Sequence, residues 1–368
     1  MRKRRTILIA AMDWGLGHAT RSVPIINEFR RRDYRLILGS SGRALELWKK
    51  EFPKLKTFEL PAYNPIYSSS NSMTWKIFWQ LPKFFSVIYR EHFALNQIVK
   101  TEKIDAVISD NRYGCWSHRV PSVFLTHQLW IKIPEDYKWM ETSINRISHY
   151  YIQKYNECWV PDFEAEGNLA GELSSYMGFE KKFVGPLSRL TRQSELESQY
   201  DLLVILSGPE PKRSILEAKL RNQILESGKS ALIVRGVSEE NAIKIRQGKI
   251  SEIAYLTTAE LNQEVQKATL VVCRAGYSSI MDLAACGKRA ILIPTPGQTE
   301  QEYLADFHKN SGHFYSENQV EFDLLRALEK VKKYKGIEPK QDENALLSQA
   351  IDKFEEDYFS ESESTQSP

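Results

Sequence analysis

Little in this chain points to a metal, a disulfide framework, a membrane span or a nucleic acid. Its 368 residues include 4 cysteines (Cys115, Cys158, Cys273, Cys286), scattered, with no C-x-x-C pair and no histidine at ligand spacing. They read as buried apolar residues of a reduced compartment. No D-x-D motif stands in a context suited to a metal, so no metal site is expected. A formal net charge of +3 is too small to draw the chain to nucleic acid. No window approaches the roughly 18 uninterrupted apolar residues of a membrane-spanning helix. The basic start, Met1 to Arg5, runs through the short apolar stretch Thr6–Met12 into Asp13-Trp14. That is too short for the apolar part of a signal peptide, and no small-residue cleavage site follows, so a cytoplasmic protein is expected.

What is present suffices for about two packed domains at this length, with 42% apolar and 26% charged residues. The most informative stretch is Leu270–Tyr303. An apolar strand, Leu270–Cys273, ends in Arg274-Ala275-Gly276, and a helical pattern follows over Tyr277–Cys286. Gly287 stops that helix, and a second strand, Ala290–Ile293, runs into Pro294-Thr295-Pro296-Gly297. Glu300, Gln301 and Glu302 open the next helix. This is a βαβ unit whose loops lie at the carboxyl ends of parallel strands, where such sheets bind ligands. Gly276 would let the backbone approach a phosphate, and the free N–H groups at the Tyr277–Ser278 helix start favour an anion.

The first strand, Thr6–Ala11, leads through Gly15-Leu16-Gly17-His18 into a helix from about Arg21 to Arg31. A nicotinamide-binding reading fails twice. Thr20 stands where the third glycine belongs, and the next strand, Tyr34–Leu38, ends in Gly39-Ser40-Ser41-Gly42 with no acid for a ribose. No cofactor is expected. The glycine turn instead presents His18 at the rim of the sheet. Asp110 and His127 follow the strands Asp105–Ser109 and Ser122–Leu125, which puts them on the same rim. Bland roles stay open for all three: backbone bonding by His18, a helix cap at Asp110 and a satisfied core histidine at His127. Over Ser68–Arg90, Trp75, Phe78, Trp79, Phe84, Phe85 and Tyr89 mix with Lys76, Lys83 and Arg90. That suits either a membrane interface or a helix packed with its aromatics inward, with Pro82 expected to break or kink it.

The Leu270–Tyr303 segment resembles the nucleotide-sugar half of GT-B glycosyltransferases of the family 28 type, which includes the enzymes adding N-acetylglucosamine to the lipid-linked peptidoglycan precursor. The resemblance lies in Arg274-Ala275-Gly276, Asp282, Pro294–Gly297 and Gln301-Glu302; the family usually has Glu at the place of Asp282 and Gln at that of Glu302. It implies an α/β fold of two Rossmann-like, doubly wound domains facing across a cleft. The acceptor-binding domain would span 1–186, a linker 187–200 and the nucleotide-sugar domain 201–335. A helix over 336–358 would cross back to the first domain, with 359–368 a disordered acidic tail. The implied donor-binding residues are Ser207, Gly208, Arg235, Arg274, Ala275, Gly276, Tyr277, Ser278, Asp282, Thr295, Gln301 and Glu302, with Lys212 or Arg213 placed to pair with a diphosphate. On the acceptor side are Gly15, Gly17 and His127. His18 would be the catalytic base and Asp110 its orienting partner.

The function expected on this footing is inverting, metal-independent transfer of a sugar, N-acetylglucosamine first among them, from a UDP-sugar to an acceptor hydroxyl. A lipid-linked acceptor would bring peripheral contact with the inner face of the membrane through Trp75–Phe85. A nucleotide-sugar 2-epimerase, or a degenerate GT-B protein that only binds a nucleotide sugar, are the alternatives.

Overall fold

The computed structural model describes residues 4–64, 80–164, 167–193, 197–237, 245–339 and 343–360. The first sheet is built from β1 (Thr6–Ala11), β2 (Arg35–Ser40), β3 (Lys56–Glu59), β4 (Ala106–Asp110), β5 (Ser122–Leu125), β6 (Glu157–Val160) and β7 (Lys182–Phe183). Between them run α1 (Gly17–Arg21), α2 (Val23–Arg31), α3 (Gly42–Glu51), α4 (Leu81–Glu102) and α5 (Glu141–Ile152). The strand order is β3-β2-β1-β4-β5-β6-β7, and every pairing is parallel. Strand β1 is buried along its whole length, as a parallel strand covered by helices on both faces must be.

The second sheet repeats the plan with β8 (Tyr200–Ile205), β9 (Ala231–Val234), β10 (Ile245–Gln247), β11 (Ile250–Ile253), β12 (Ala268–Cys273), β13 (Ala290–Leu292) and β14 (Tyr315–Ser316). Its helices are α6 (Lys212–Ser227), α7 (Thr258–Gln266), α8 (Tyr277–Cys286), α9 (Thr299–Asn310) and α10 (Leu324–Lys330), before a last helix, α11 (Glu343–Phe359). The order is β10-β11-β9-β8-β12-β13-β14, parallel except at the β10–β11 edge. The two doubly wound α/β units of the sequence reading are thus present.

In each sheet the chain winds outward to one side of a central strand and then returns to start on the other. These switch points lie between β1 and β4 and between β8 and β12. Loops leaving the carboxyl ends of neighbouring strands there part in opposite directions and leave a crevice. The first crevice is bordered by the Gly15–His18 turn and Asp110, the second by Ser207-Gly208 and Arg274–Gly276.

Four local expectations need correction. The single helix from about Arg21 to Arg31 is two, α1 and α2, joined at Ser22. Pro24, in the first turn of α2, has no N–H with which to continue α1's ladder, and the Ser22 hydroxyl occupies the His18 carbonyl at 2.9 Å. Pro82 does not kink α4 but begins it, where a missing N–H costs nothing. Lys138–Tyr155, whose pattern reads as one helix, is instead the end of a 3-10 turn, Glu135–Met140, followed by α5. The apolar stretch Ile253–Leu256 reads as a strand, but the strand lies three residues earlier as β11. Its buried Ser251 and Glu252 hide it from an apolar pattern, Glu252 being paired with Arg221 at 2.6 Å.

Helix α11 packs on the first domain. Leu347, Ile351, Phe354 and Phe359 are buried there. Phe354 meets Trp159 of β6 edge-on at 6.0 Å, and Arg32 pairs with Asp352 and Glu355 at 2.5 and 3.2 Å. Between the sheets, Leu187 and Leu190 are buried within the connecting segment.

Candidate active site

The His18 imidazole and the Asp110 carboxylate are brought together as expected from their places on the rim: Nδ1 lies 2.8 Å from Oδ1. Asp110 is buried and caps no helix; it also accepts from Nε of Arg21 at 2.7 Å, and from Nη2 of the same guanidinium. Burial pushes the Asp110 carboxyl up, but Arg21 and His18 outweigh it and hold it below the usual carboxylate range. An ionised Asp110 can only accept, so Nδ1 of His18 carries the proton and Nε2 keeps its lone pair. The His18 side chain is 16% exposed, and Nε2 makes no hydrogen bond among the described residues.

Arg21, which pattern reading passed over, continues inward. Its Nη1 donates to Nδ1 of His127 at 2.8 Å, and Nε2 of His127 lies 2.9 Å from Oε1 of Glu300 on α9. A guanidinium cannot accept, so His127 is the neutral Nε2–H tautomer and donates to Glu300. Burial drives the His127 ring below its ordinary range despite Glu300, in keeping with that tautomer. Burial likewise pushes the Glu300 carboxyl up, and His127 outweighs it, leaving a carboxylate. His127 therefore does not face an acceptor; it is a satisfied, buried histidine joining the two domains. Its ring also stacks on Tyr277 of α8, with centroids 4.0 Å apart and planes 5° apart, and the Tyr277 hydroxyl donates to the Pro161 carbonyl at 2.7 Å.

The two crevices meet at the glycine turn. Ser278 donates to the Gly17 carbonyl at 3.0 Å, and a Cβ on Gly17 would come within 2.9 Å of the Ser278 hydroxyl. A side chain at Gly17 would therefore hold the loops apart. Gly15, with φ of +81° and open space around it, makes the turn itself. On the other side, Gly276 caps α8 with extended backbone and no side-chain cap, and nothing lies within 4 Å of where its Cβ would be. The first N–H groups of α8 are thus presented to open space beside the His18 turn.

The remaining expected donor residues divide. Arg274 is buried and its guanidinium is committed to carbonyls: those of Ile293 and Pro294 at 3.2 and 3.3 Å, Lys212 at 3.1 Å and Ser207 at 3.4 Å. It braces the strand-end loops instead of facing a diphosphate, and burial brings it down to about 10. Lys212 is turned to the Pro296 carbonyl at 2.6 Å, and Arg213 to Glu210 and Glu217. Arg235 lies against Glu217 at 2.8 Å, and Ala275 is buried. Ser207 is exposed beside Gly208, whose φ is +104°. Thr295 is wholly buried; its N–H donates to Gln301 at 2.9 Å while its hydroxyl has no partner. Glu302 accepts from the Gly297 N–H at 2.7 Å. Pro296, Gly297, Glu302 and Gln319 line a cleft of about 490 Å³ with Pro134 and Tyr137 of the first domain. Asp282 accepts from Ser188, in the connecting segment, at 2.7 Å and lies 3.9 Å from Arg189; burial raises its carboxyl.

In the aromatic stretch, Trp75, Lys76, Phe78 and Trp79 lie outside the described residues. Phe84 points inward against Trp14 and Tyr63, at 5.6 and 6.2 Å, and Lys83 bonds the Asn64 carbonyl. Phe85, Tyr89 and Phe93 line the outer face of α4 at helical spacing, the last two 75% and 60% exposed. Among the described residues no helix is long and apolar enough to cross a membrane.

Residues 212–356 match the glycosyltransferase family 28 C-terminal domain. The match covers 145 of the chain's 368 residues. Over 103 residues the chain is 34% identical to the UDP-N-acetylglucosamine–N-acetylmuramyl-(pentapeptide) pyrophosphoryl-undecaprenol N-acetylglucosamine transferase of Syntrophotalea carbinolica, covering 26% of the chain and 28% of that protein. The Nostoc punctiforme protein of the same name is 48% identical over 50 residues, which are 13% of the chain and 14% of that protein. The matches thus span under a third of these relatives. The solved structure of the kitacinnamycin glycotransferase superposes with a TM-score of 0.65 at 12% identity, covering 97% of this chain and 99% of its own. For Acinetobacter baumannii MurG the values are 0.59, 12%, 96% and 99%. At such identity the likeness is one of fold, and the fold is GT-B.

Proposed function

We propose that this protein transfers a sugar from a UDP-sugar, N-acetylglucosamine first among them, to an acceptor hydroxyl with inversion and without a metal. The observation that carries this is Nε2 of His18, free among the described residues, its other nitrogen held by Asp110, one glycine away from the uncapped start of α8. Nε2 takes the proton of the acceptor hydroxyl as its oxygen attacks the anomeric carbon. The bond from that carbon to the diphosphate oxygen breaks on the opposite face, which inverts the configuration. The N–H groups of Tyr277, Ser278 and Ser279, aligned with the helix dipole, meet the charge left on the diphosphate. Asp110 holds the imidazolium as an orienting acid does in hydrolase triads.

A screen of nucleotide sugars by thermal shift, followed by turnover with EDTA present, tests the proposal. Release of UDP only when an acceptor is added supports transfer. A C2 epimer formed from UDP-N-acetylglucosamine alone would mean the epimerase, and stabilisation without any product the binding protein.

The ribose hydroxyls of the donor are assigned to Asp282, at the junction of α8 with the connecting segment. Asp282→Ala should weaken UDP binding by about tenfold, the scale of one hydrogen bond to a charged group, as read by calorimetric titration. Unchanged UDP affinity would remove Asp282 from the donor site.

The acceptor is proposed to be lipid-linked and met at the bilayer surface. The outward stripe Phe85, Tyr89 and Phe93 on α4 supports this, with Arg90 on the same helix. Replacing the three aromatics by serine should abolish co-sedimentation with anionic vesicles at low salt. Wild-type protein that stays in the supernatant would argue for a soluble acceptor.

A further inference from the structure

The counter-charge of the base needs explaining. In a simple pair, the orienting carboxylate also balances the charge that the imidazole acquires. Here both oxygens of Asp110 are already engaged by Arg21, whose positive charge lies as close to Asp110 as the His18 ring does. Taken alone, His18, Asp110 and Arg21 would go from neutral to positive when His18 accepts a proton. Removing water makes such uncompensated charge costly.

The missing negative charge comes from the other domain. Glu300, in the first turn of α9, reaches His127, and the neutral His127 ring carries its contact to Arg21. With Glu300 included, the cluster is negative while His18 is neutral and becomes neutral when His18 takes its proton. We propose that Glu300 is a positioning residue for the base: by offsetting Arg21 through His127, it lets the second domain set the proton affinity of His18. The proposal rests on His18 being the base of the reaction above.

The charged and titratable groups around this cluster come from every element packed on it. They are Arg21 on α1, Asp110 on β4, His127 after β5, Asp162 after β6, which is buried and acts on the Tyr277 hydroxyl, Tyr277 on α8 and Glu300 on α9. Asp13, on the same loop as His18, faces Arg112 instead, at 3.9 Å. Tyr277, buried, is held by burial above its ordinary range and stays neutral. Glu300 is therefore the one carboxylate that the second domain brings to the cluster among the described residues. The Glu300 side chain keeps its charge through His127, which outweighs burial. Opening the cleft would take that charge away with α9, and the base would weaken when no donor domain is in place. Proton removal is thereby tied to closure.

Glu300→Gln separates charge from shape, since its amide oxygen can still accept from Nε2 of His127 while the charge is lost. Two readouts are needed on the full chain: the His18 titration, followed by NMR of protein labelled with ¹⁵N-histidine, and the pH profile of kcat. In Glu300→Gln the His18 titration should move to lower pH than in wild type, because the charge that favours the imidazolium is gone. The acid limb of kcat should move with it, and the plateau should fall roughly tenfold as the base weakens, with donor Kd unchanged. Glu300→Asp, keeping the charge, should titrate as wild type does. An unmoved His18 titration in Glu300→Gln overturns the proposal, as does a rise in donor Kd that accounts for the whole loss of turnover. Because the NMR arm needs no turnover, a protein that shows the shift but no transferase activity would count against the reaction and not against the charge relay.

Discussion

His18→Ala should lose turnover by about 10²–10⁴-fold, the contribution of a positioned general base, while donor Kd stays as it was. The expectation comes from geometry more than from residue type. Asp110 fixes Nδ1 as the protonated nitrogen, which leaves Nε2 to the acceptor. In the proposed reaction the donor's diphosphate meets the start of α8, on the other domain, so truncating the ring should leave the nucleotide's contacts in place. Asp110→Asn should give a smaller loss of the same kind, because an amide still bonds Nδ1 but no longer steadies an imidazolium. Measuring kcat at saturating donor together with donor Kd by calorimetry decides the matter. A full kcat with weakened donor binding would move His18 from the acceptor to the diphosphate.

Arg21→Met should cost about 3–5 kcal/mol of stability, the scale on which removing one partner of a buried ion pair acts. Arg21 is 2% exposed, and its guanidinium serves two groups at once, the Asp110 carboxylate and the His127 lone pair. Methionine fills the space but leaves a carboxylate facing an apolar chain. Arg21→Lys should recover only part of the loss, since an ammonium cannot reproduce a planar contact with both oxygens of Asp110 while also reaching His127. The pH dependence has a definite sign. In wild type the folded-state Asp110 is held below its ordinary range. Its stabilisation is therefore present above the unfolded carboxylate range near pH 4 and lost as pH falls through the folded value. With Arg21 gone, burial is opposed by His18 alone, and much of that acid-side loss should disappear. Urea midpoints for wild type and variant between about pH 3 and 7 test both statements; identical midpoints at neutral pH would mean that Arg21 is not structurally required.

The sheet was legible in the sequence where strands are buried on both faces. The β1, β4, β5 and β12 segments are plain apolar runs ended by polar residues, and parallel topology then puts Asp110, His18 and the Arg274–Gly276 turn on strand ends. Residues whose partners come from far along the chain were not legible. Arg21 reads as one more base on a helix, and Glu300 as one of three acids and amides opening α9. Their roles appear only when β5 and the second domain bring His127 between them. Arg274 shows the converse: its place in a turn suggested an anion partner, yet loop closure surrounds it with carbonyls. Pattern finds faces and ends, while hydrogen-bond saturation depends on the assembled loops.

Helix α11 has a bearing on biosynthesis. Its Leu347, Ile351, Phe354 and Phe359 complete the core of the first domain, and the Arg5 guanidinium lies 4.0 Å above the Phe359 ring. Domains are generally assembled in the order of their synthesis, but here the first to be made lacks part of its own interior until the last helix leaves the ribosome. The second domain must form while its predecessor is still unfinished, with apolar surface near Trp159 uncovered. The apolar surface that α11 covers therefore stays open until residues 343–359 are made, and a chain truncated before residue 343 should fail to complete its first domain.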